Sequence, residues 1–186
     1  AVYAIDAATG TFKWKRNLTN INATPVCVRD GVVYFGGAND PVYAVSAETG
    51  ETIWQTSNTV GSSHYAGVTL ASNKLLIVVG TTMYAFNTAN GSQTWSTYIP
   101  RSGWAQSAPA VYSNRIYVAM NDGGDGVRVY DLNTGSNLFN YSGFNIMFQQ
   151  TGPALANGRM FILGQQLSST SCYMYAFNAA ATSAPL

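Results

Sequence analysis

Hydrophobic and polar positions in this chain alternate in short bursts, and the bursts come in fours. Val42-Tyr43-Ala44-Val45 is a β-branched and aromatic run of strand length. Ala47-Glu48-Thr49-Gly50 is turn chemistry, with glycine free to take a positive φ where the chain reverses, and Thr52-Ile53-Trp54 is the return strand. Two further apolar runs lie upstream, Thr24–Val28 and Gly31–Gly36, joined at Arg29-Asp30-Gly31. The same pair recurs as Gly67–Leu70 with Lys74–Val79, as Ala108–Val111 with Arg115–Ala119, and as Gly152–Leu155 with Arg159–Leu163. Proline opens several of the first runs, where a missing ladder donor costs little. The pattern predicts strands throughout and no substantial helix.

The turn-and-return segment is itself repeated. Val2-Tyr-Ala-Ile-Asp-Ala-Ala-Thr-Gly10 ends on Trp14, and Val42 to Gly50 ends on Trp54. Met83-Tyr-Ala-Phe-Asn-Thr-Ala-Asn-Gly91 ends on Trp95, and Val127 to Gly135 ends on Phe139. A fifth copy opens at Met174-Tyr-Ala-Phe-Asn178 and does not reach a matching Gly or Trp. The anchors step by 40 (14 to 54), 41 (54 to 95) and 44 (95 to 139). Four short strands in a unit of roughly forty residues is the blade of a β-propeller. The expected fold is therefore an all-β propeller of four-stranded antiparallel blades. Its segments are the end of a blade at 1–16, blades at 24–56, 66–97 and 108–141, and an incomplete blade at 152–178.

The pattern Ala-x-Asp-x-x-Thr-Gly-x-x-x-Trp, carried by Ala4, Asp6, Thr9, Gly10 and Trp14, resembles the tryptophan-docking motif of PQQ-like (quinoprotein alcohol dehydrogenase-like) propellers. The resemblance runs over almost the whole chain. It implies that Trp14, Trp54 and Trp95 pack on the turn of the neighbouring blade and hold blades together, with Phe139 keeping the packing without an indole donor. For the dehydrogenases of that family it implies a quinone, PQQ, held with a calcium-binding acid pair, a catalytic Asp, a stacking Trp and often adjacent cysteines. This chain carries no Cys-Cys pair and no Cys-x-x-Cys-His, and Asp6, Asp131, Glu48 and Glu51 fall at the peripheral turns. No cofactor is expected within this stretch, and an enzyme reading is not favoured. At roughly 42 residues per blade, the 186 residues hold four to five blades. The phase of the repeat suggests a window from a longer, seven- or eight-bladed propeller.

Composition removes some partners. Nine Lys and Arg against eight Asp and Glu leave a net charge of +1 and only 9% charged residues. With no basic cluster, nucleic acid is not expected to bind, and no apolar run is long enough to span a bilayer. The surface must be built from Ser, Thr, Asn, Gln and Gly. Cys27 and Cys172 read first as buried apolar thiols, and a disulfide between them depends on blades that only ring closure would bring together. Four N-glycosylation sequons begin at Asn17, Asn22, Asn90 and Asn140.

Propellers bind ligands where loops enter the first strands. The polar residues just before those strands are Asn22, His64, Gln106 and Gln150, with Arg101 and Trp104 nearby. They form the candidate channel-mouth site, for a carbohydrate-like or peptide-like ligand. His64, the one histidine, has no acid in the incoming loops to make it a general base. Asp122 and Asp125, in Asn-Asp-Gly-Gly-Asp-Gly, are a weak calcium candidate. Three functional readings follow: a non-catalytic, extracytoplasmic interaction propeller, secreted or periplasmic, that binds other protein chains or copies of itself in a larger, glycosylated assembly or filament; a fragment of a PQQ-dependent alcohol or sugar dehydrogenase using PQQ and calcium; and a cell-envelope assembly scaffold.

Overall fold

The computed structural model describes residues 1–18, 25–36, 40–57, 65–100, 107–120, 126–141, 146–147, 152–166 and 170–179. Eighteen strands run through them, and no helix is found among the described residues. β1 (Val2–Ile5) and β2 (Phe12–Arg16) form a two-stranded sheet, blade 1. Blade 2 orders β3 (Cys27–Arg29), β4 (Val32–Gly36), β5 (Val42–Ser46) and β6 (Thr52–Gln55) side by side. Blade 3 does the same with β7 (Tyr65–Ala71), β8 (Lys74–Val79), β9 (Thr82–Asn87) and β10 (Gln93–Tyr98). Blade 4 follows with β11 (Ala110–Tyr112), β12 (Arg115–Ala119), β13 (Val127–Asp131) and β14 (Asn137–Tyr141). All pairings are antiparallel, so each complete blade is a four-stranded meander.

Blade 5 is built differently. β17 (Arg159–Gln166) pairs along its length with β18 (Cys172–Asn178), and β16 (Ala154–Ala156) pairs with the start of β17. The far end of β17 pairs with β15 (Ile146–Met147), which the apolar pattern did not announce. Two residues are too few to show a period, and their pairing partner is set by β17 outrunning β16. The first-strand side of this blade is thus made in two pieces.

Side chains of a strand alternate between its two faces, and each of blades 2, 3 and 4 buries both. One row of blade 2 is Tyr34, Ala44 and Trp54, set in line by the pairs Tyr34–Ala44 and Ala44–Trp54. It packs on Leu75, Ile77 and Phe86 of blade 3. The opposite row, Val33, Phe35 and Val45, packs on Val2, Ala4 and Trp14 of blade 1. Blades 3 and 4 meet through Leu76, Val78, Met83 and Ala85 against Ile116, Val118, Tyr130 and Leu132. Blades 4 and 5 meet through Tyr117, Val129 and Tyr141 against Met160, Ile162 and Phe177. Every junction therefore sets the same face of one blade, here its front, on the back of the next. This stacking of neighbours is the fold.

The reading of both cysteines as buried thiols needs correction. Both are free; Cys27 is half-buried and Cys172 is exposed. Cys172 opens β18, whose only paired neighbour among the described residues is β17, so no outer strand covers it there.

Candidate functional site

The motif's turn is closed from within by its first polar residue. In blade 1 the Asp6 carboxylate accepts hydrogen bonds from the N–H groups of Ala8 (3.0 Å) and Thr9 (2.9 Å) and from the Thr9 hydroxyl (2.9 Å). Asp131 does the same for Asn133, Thr134 and the Thr134 hydroxyl in blade 4. Ser46 and Asn87 take the role in blades 2 and 3 with a hydroxyl and an amide oxygen. These are local side-chain turns of the kind Asp, Asn and Ser favour. The bonds from Thr9, first from its N–H, hold the Asp6 carboxyl below its ordinary value, and those from Thr134 do so for Asp131.

The turn then offers a flat glycine to the preceding blade. At Gly50, Gly91 and Gly135 the backbone φ is +74°, +73° and +73°. A Cβ there would lie 2.7 Å from the Trp14 ring, 2.5 Å from Trp54 and 2.6 Å from Trp95 respectively. Each indole lies directly on the glycine, which is required both for its φ and for the missing side chain. The indole N–H donates to one carbonyl of the same turn: Trp14 to Ala47 O (2.9 Å), Trp54 to Thr88 O (2.8 Å) and Trp95 to Leu132 O (3.1 Å). Buried aromatic N–H groups need such a partner.

The equivalent carbonyl at the fourth junction is Ala179 O, whose residue repeats the backbone bond that Ala47, Thr88 and Leu132 make to the hairpin of their own blade. Phe139 has no donor for it. Instead the Tyr117 hydroxyl (2.5 Å) and Arg115 Nη1 (3.2 Å) reach it from β12, and the Arg115 guanidinium stands 5.8 Å from the centre of the Phe139 ring. Burial pushes the Tyr117 hydroxyl pKa up, so it stays a donor.

Other cross-blade bonds escaped the sequence pattern. The residue two after each anchor reaches the next blade at three junctions: Arg16 donates to the Thr52 hydroxyl (2.7 Å), Thr97 to Gly135 O (2.7 Å) and the Tyr141 hydroxyl to Asn178 O (2.7 Å). Position +2 carries Arg, Thr, Thr and Tyr, a donor each time, which was the available signal. Nearer the first strands, the Cys27 thiol donates to Val68 O (3.0 Å), Arg29 to Ser72 O (2.6 Å) and Leu70 O (3.1 Å), and Thr69 to Pro109 O (2.6 Å). Desolvation raises the Cys27 pKa, so it sits there as a neutral thiol.

The channel-mouth candidates Asn22, His64, Arg101, Trp104, Gln106 and Gln150 lie outside the described residues, as do Asp122 and Asp125. Of the sequons, Asn17 and Asn90 are exposed and Asn140 is half-buried; Asn22 lies outside the described residues. The described acids of the motif are committed elsewhere: Asp6 and Asp131 close turns, Glu48 pairs with Lys13 of blade 1 at 2.8 Å, and Glu51 accepts from Thr49 at 3.2 Å. They do not fit the acid pair that a quinone and its calcium ion would require. No helix among the described residues is long and apolar enough to cross a membrane.

A family model described as outer membrane protein assembly factor BamB, built of PQQ-like repeats, matches residues 1–64 and 38–180. The chain belongs to this PQQ-like propeller family. Among solved structures, BamB from Moraxella catarrhalis superposes with a TM-score of 0.67 at 16% identity, over 98% of this chain and 65% of that one. A quinohemoprotein alcohol dehydrogenase from Comamonas testosteroni gives 0.66 at 15% identity, over 95% of this chain and 40% of that one. The computationally designed Ika4 protein gives 0.58 at 14%, over 82% of this chain and 89% of that one. The chain thus spans about two thirds or less of the length of the two natural propellers. A search of curated proteins returns no match. At these identities the likeness establishes the PQQ-like propeller fold and leaves activity open.

Proposed function

We propose that this PQQ-like propeller is a non-catalytic scaffold that works outside the cytoplasm by presenting surfaces to other proteins. One observation carries the reading. The described motif residues able to do chemistry are spent on structure: Asp6 and Asp131 close turns, and Trp14, Trp54 and Trp95 bond the next blade. Large apolar side chains also stand exposed on the outer strands of the complete blades, at Ile53, Tyr98 and Leu138. The family description, an outer membrane assembly factor, supports the envelope-scaffold form of the same reading. The low charge suits a surface that packs closely against protein. Sugar attachment fits exposed Asn90 better than half-buried Asn140 on exposure alone, since the side-chain oxygens of both accept local hydrogen bonds.

The test is site-specific photo-crosslinking in cells that export the chain, with the probe at Tyr98, at Leu138 or at Glu51. Protein adducts from the first two positions and none from Glu51 are expected. Their absence from both positions removes the scaffold reading. Saturable binding of PQQ with calcium, accompanied by dye-linked alcohol oxidation, would replace it with the dehydrogenase reading. Glycan occupancy is read separately, by a mass shift on glycosidase treatment.

A further inference from the structure

We propose that Asn157-Gly158, in the hairpin of blade 5, is a self-modifying site. There the asparagine side chain cyclises onto the following backbone nitrogen and hydrolyses to aspartate and isoaspartate. The chain's other Asn-Gly pair, Asn90-Gly91, is held intact by the docking of Trp54. This goes beyond the scaffold reading and does not depend on it.

The reaction needs no co-reactant but water. The glycine nitrogen attacks Asn Cγ, a C–N bond forms, and the side-chain nitrogen leaves as ammonia with the proton that the glycine nitrogen gave up. Water then opens the cyclic imide at either carbonyl. One opening gives aspartate; the other routes the main chain through the former side chain and lengthens it by a methylene. Glycine favours the attack because no side chain obstructs its nitrogen. In a folded chain the carboxamide must be free to turn toward the backbone, and the glycine N–H must not be engaged elsewhere.

At Asn90-Gly91 neither condition holds. Asn90 Oδ1 accepts from the Ser92 N–H (3.0 Å) and the Ser92 hydroxyl (2.8 Å). The Gly91 N–H donates to Asn87 O at 2.9 Å, and the Trp54 ring lies on Gly91. At Asn157-Gly158 both conditions hold. Ala156 pairs with Arg159, so the two residues are the whole of a tight hairpin loop, with φ of +50° and +72°. Asn157 is exposed, and neither its carboxamide nor the Gly158 N–H has a hydrogen-bond partner among the described residues. A Cβ on Gly158 would meet only the Tyr112 hydroxyl, at 4.0 Å, so the loop has room to turn. The exposure is a property of the loop and not of blade 5. Asp30, Ser72 and Ser113 hold the same place in blades 2, 3 and 4, each followed by another blade, and are exposed as well.

The change does not stay local. Gly158 O accepts from the Ala179 N–H at 2.8 Å, and Ala179 O is the carbonyl that Tyr117 and Arg115 reach from blade 4. A longer main chain at position 157 displaces Gly158 O, and with it the acceptor at the junction of blades 4 and 5.

The experiment is peptide mapping by mass spectrometry of the folded chain held at mildly alkaline pH, where the glycine nitrogen loses its proton more readily. The Asn157 peptide should convert to two products of equal mass, of which isoaspartate methyltransferase labels one. Asn90 should convert more than about tenfold more slowly, because its three hydrogen bonds must open first. In the denatured chain the two peptides should convert alike, which assigns the difference to the fold. Ageing should lower the denaturant midpoint of the native chain and leave that of Asn157→Gln at its own starting value, since glutamine closes the larger ring far more slowly. An Asn157 amide that persists in the folded chain, or an Asn90 amide lost as fast, overturns the proposal. An unchanged midpoint after full conversion overturns the effect on the junction.

Discussion

The junction between blades 2 and 3 and the junction between blades 4 and 5 bury the same kind of surface and satisfy the same carbonyl, but from different strands. At the first, Trp54 covers Gly91 and donates to Thr88 O, so packing and hydrogen bonding reside in one side chain. At the second, Phe139 supplies a ring and no donor. Tyr117 and Arg115 supply the bonds from a strand two places inward. The fixed requirement is the carbonyl that follows the third strand, which lies in the contact and must be paired. The donor is free to move, provided it projects from the front row. Tyr117 and Phe139 share that row through Val129, as their ladder pairs show.

The comparison can be broken most forcefully at Trp54. Trp54→Ala should cost about 3–5 kcal/mol, the usual range for deleting a packed Trp, read as a fall in the denaturant midpoint. Trp54→Phe separates the two functions: it keeps a ring on Gly91 and orphans Thr88 O, for a loss of about 1–3 kcal/mol. Phe139→Trp should give no matching gain, because Ala179 O already has two donors. A gain comparable to the Trp54→Phe loss would show that the two junctions are not equivalent.

Next in size is the glycine seat. Gly91→Ala must accommodate a Cβ 2.5 Å from the Trp54 ring at a φ of +73°, whereas Gly10→Ala meets only the φ. The backbone term is about 1–2 kcal/mol in both, so melting should place Gly91→Ala clearly below Gly10→Ala. Equal losses would mean that the indole does not depend on the seat.

Smaller still is Tyr117→Phe, about 0.5–1.5 kcal/mol, since Arg115 still reaches the carbonyl. Combined with Arg115→Met the loss should exceed the sum of the singles, because only the pair leaves Ala179 O without these donors. Additivity would deny that the two act on one acceptor.

The smallest effect belongs to the turns. A carboxyl whose folded pKa is depressed lends stability above its unfolded value and loses it as pH falls through the folded one. Asp131 should therefore contribute fully above its ordinary value of 3.8 and fade below it. Asp131→Asn should flatten that part of the acid unfolding curve and change little at neutral pH. An unchanged acid limb would remove Asp131 from the account.

These contrasts also mark where sequence reasoning reaches and where it stops. The propeller was legible because its signal is a period, and a period survives substitution at any one copy, as Phe139 shows. Anchor positions could be picked out from the same repeat, but the atom receiving each N–H could not, since it is a backbone carbonyl and any residue supplies one. The transfer of the donor to Arg115 and Tyr117 was hidden because it crosses 22 residues (139 to 117) onto another strand. β15 was hidden because two residues are too few to show alternation. The exposure of Cys172 follows from what lies beside β18, which composition does not record.

The described cross-blade bonds share a polarity. Trp14, Arg16, Cys27, Arg29, Trp54, Thr69, Trp95, Thr97, Arg115, Tyr117 and Tyr141 all donate forward, to an acceptor in the following blade. For a chain that emerges from its amino end and folds as it is made, each finished blade displays its donors before the next one exists. The newcomer brings mainly backbone oxygens, which every residue possesses. Growth is then templated by the completed part, and the identity of an arriving segment matters less than its register. Such a rule tolerates drift in late repeats more readily than in early ones.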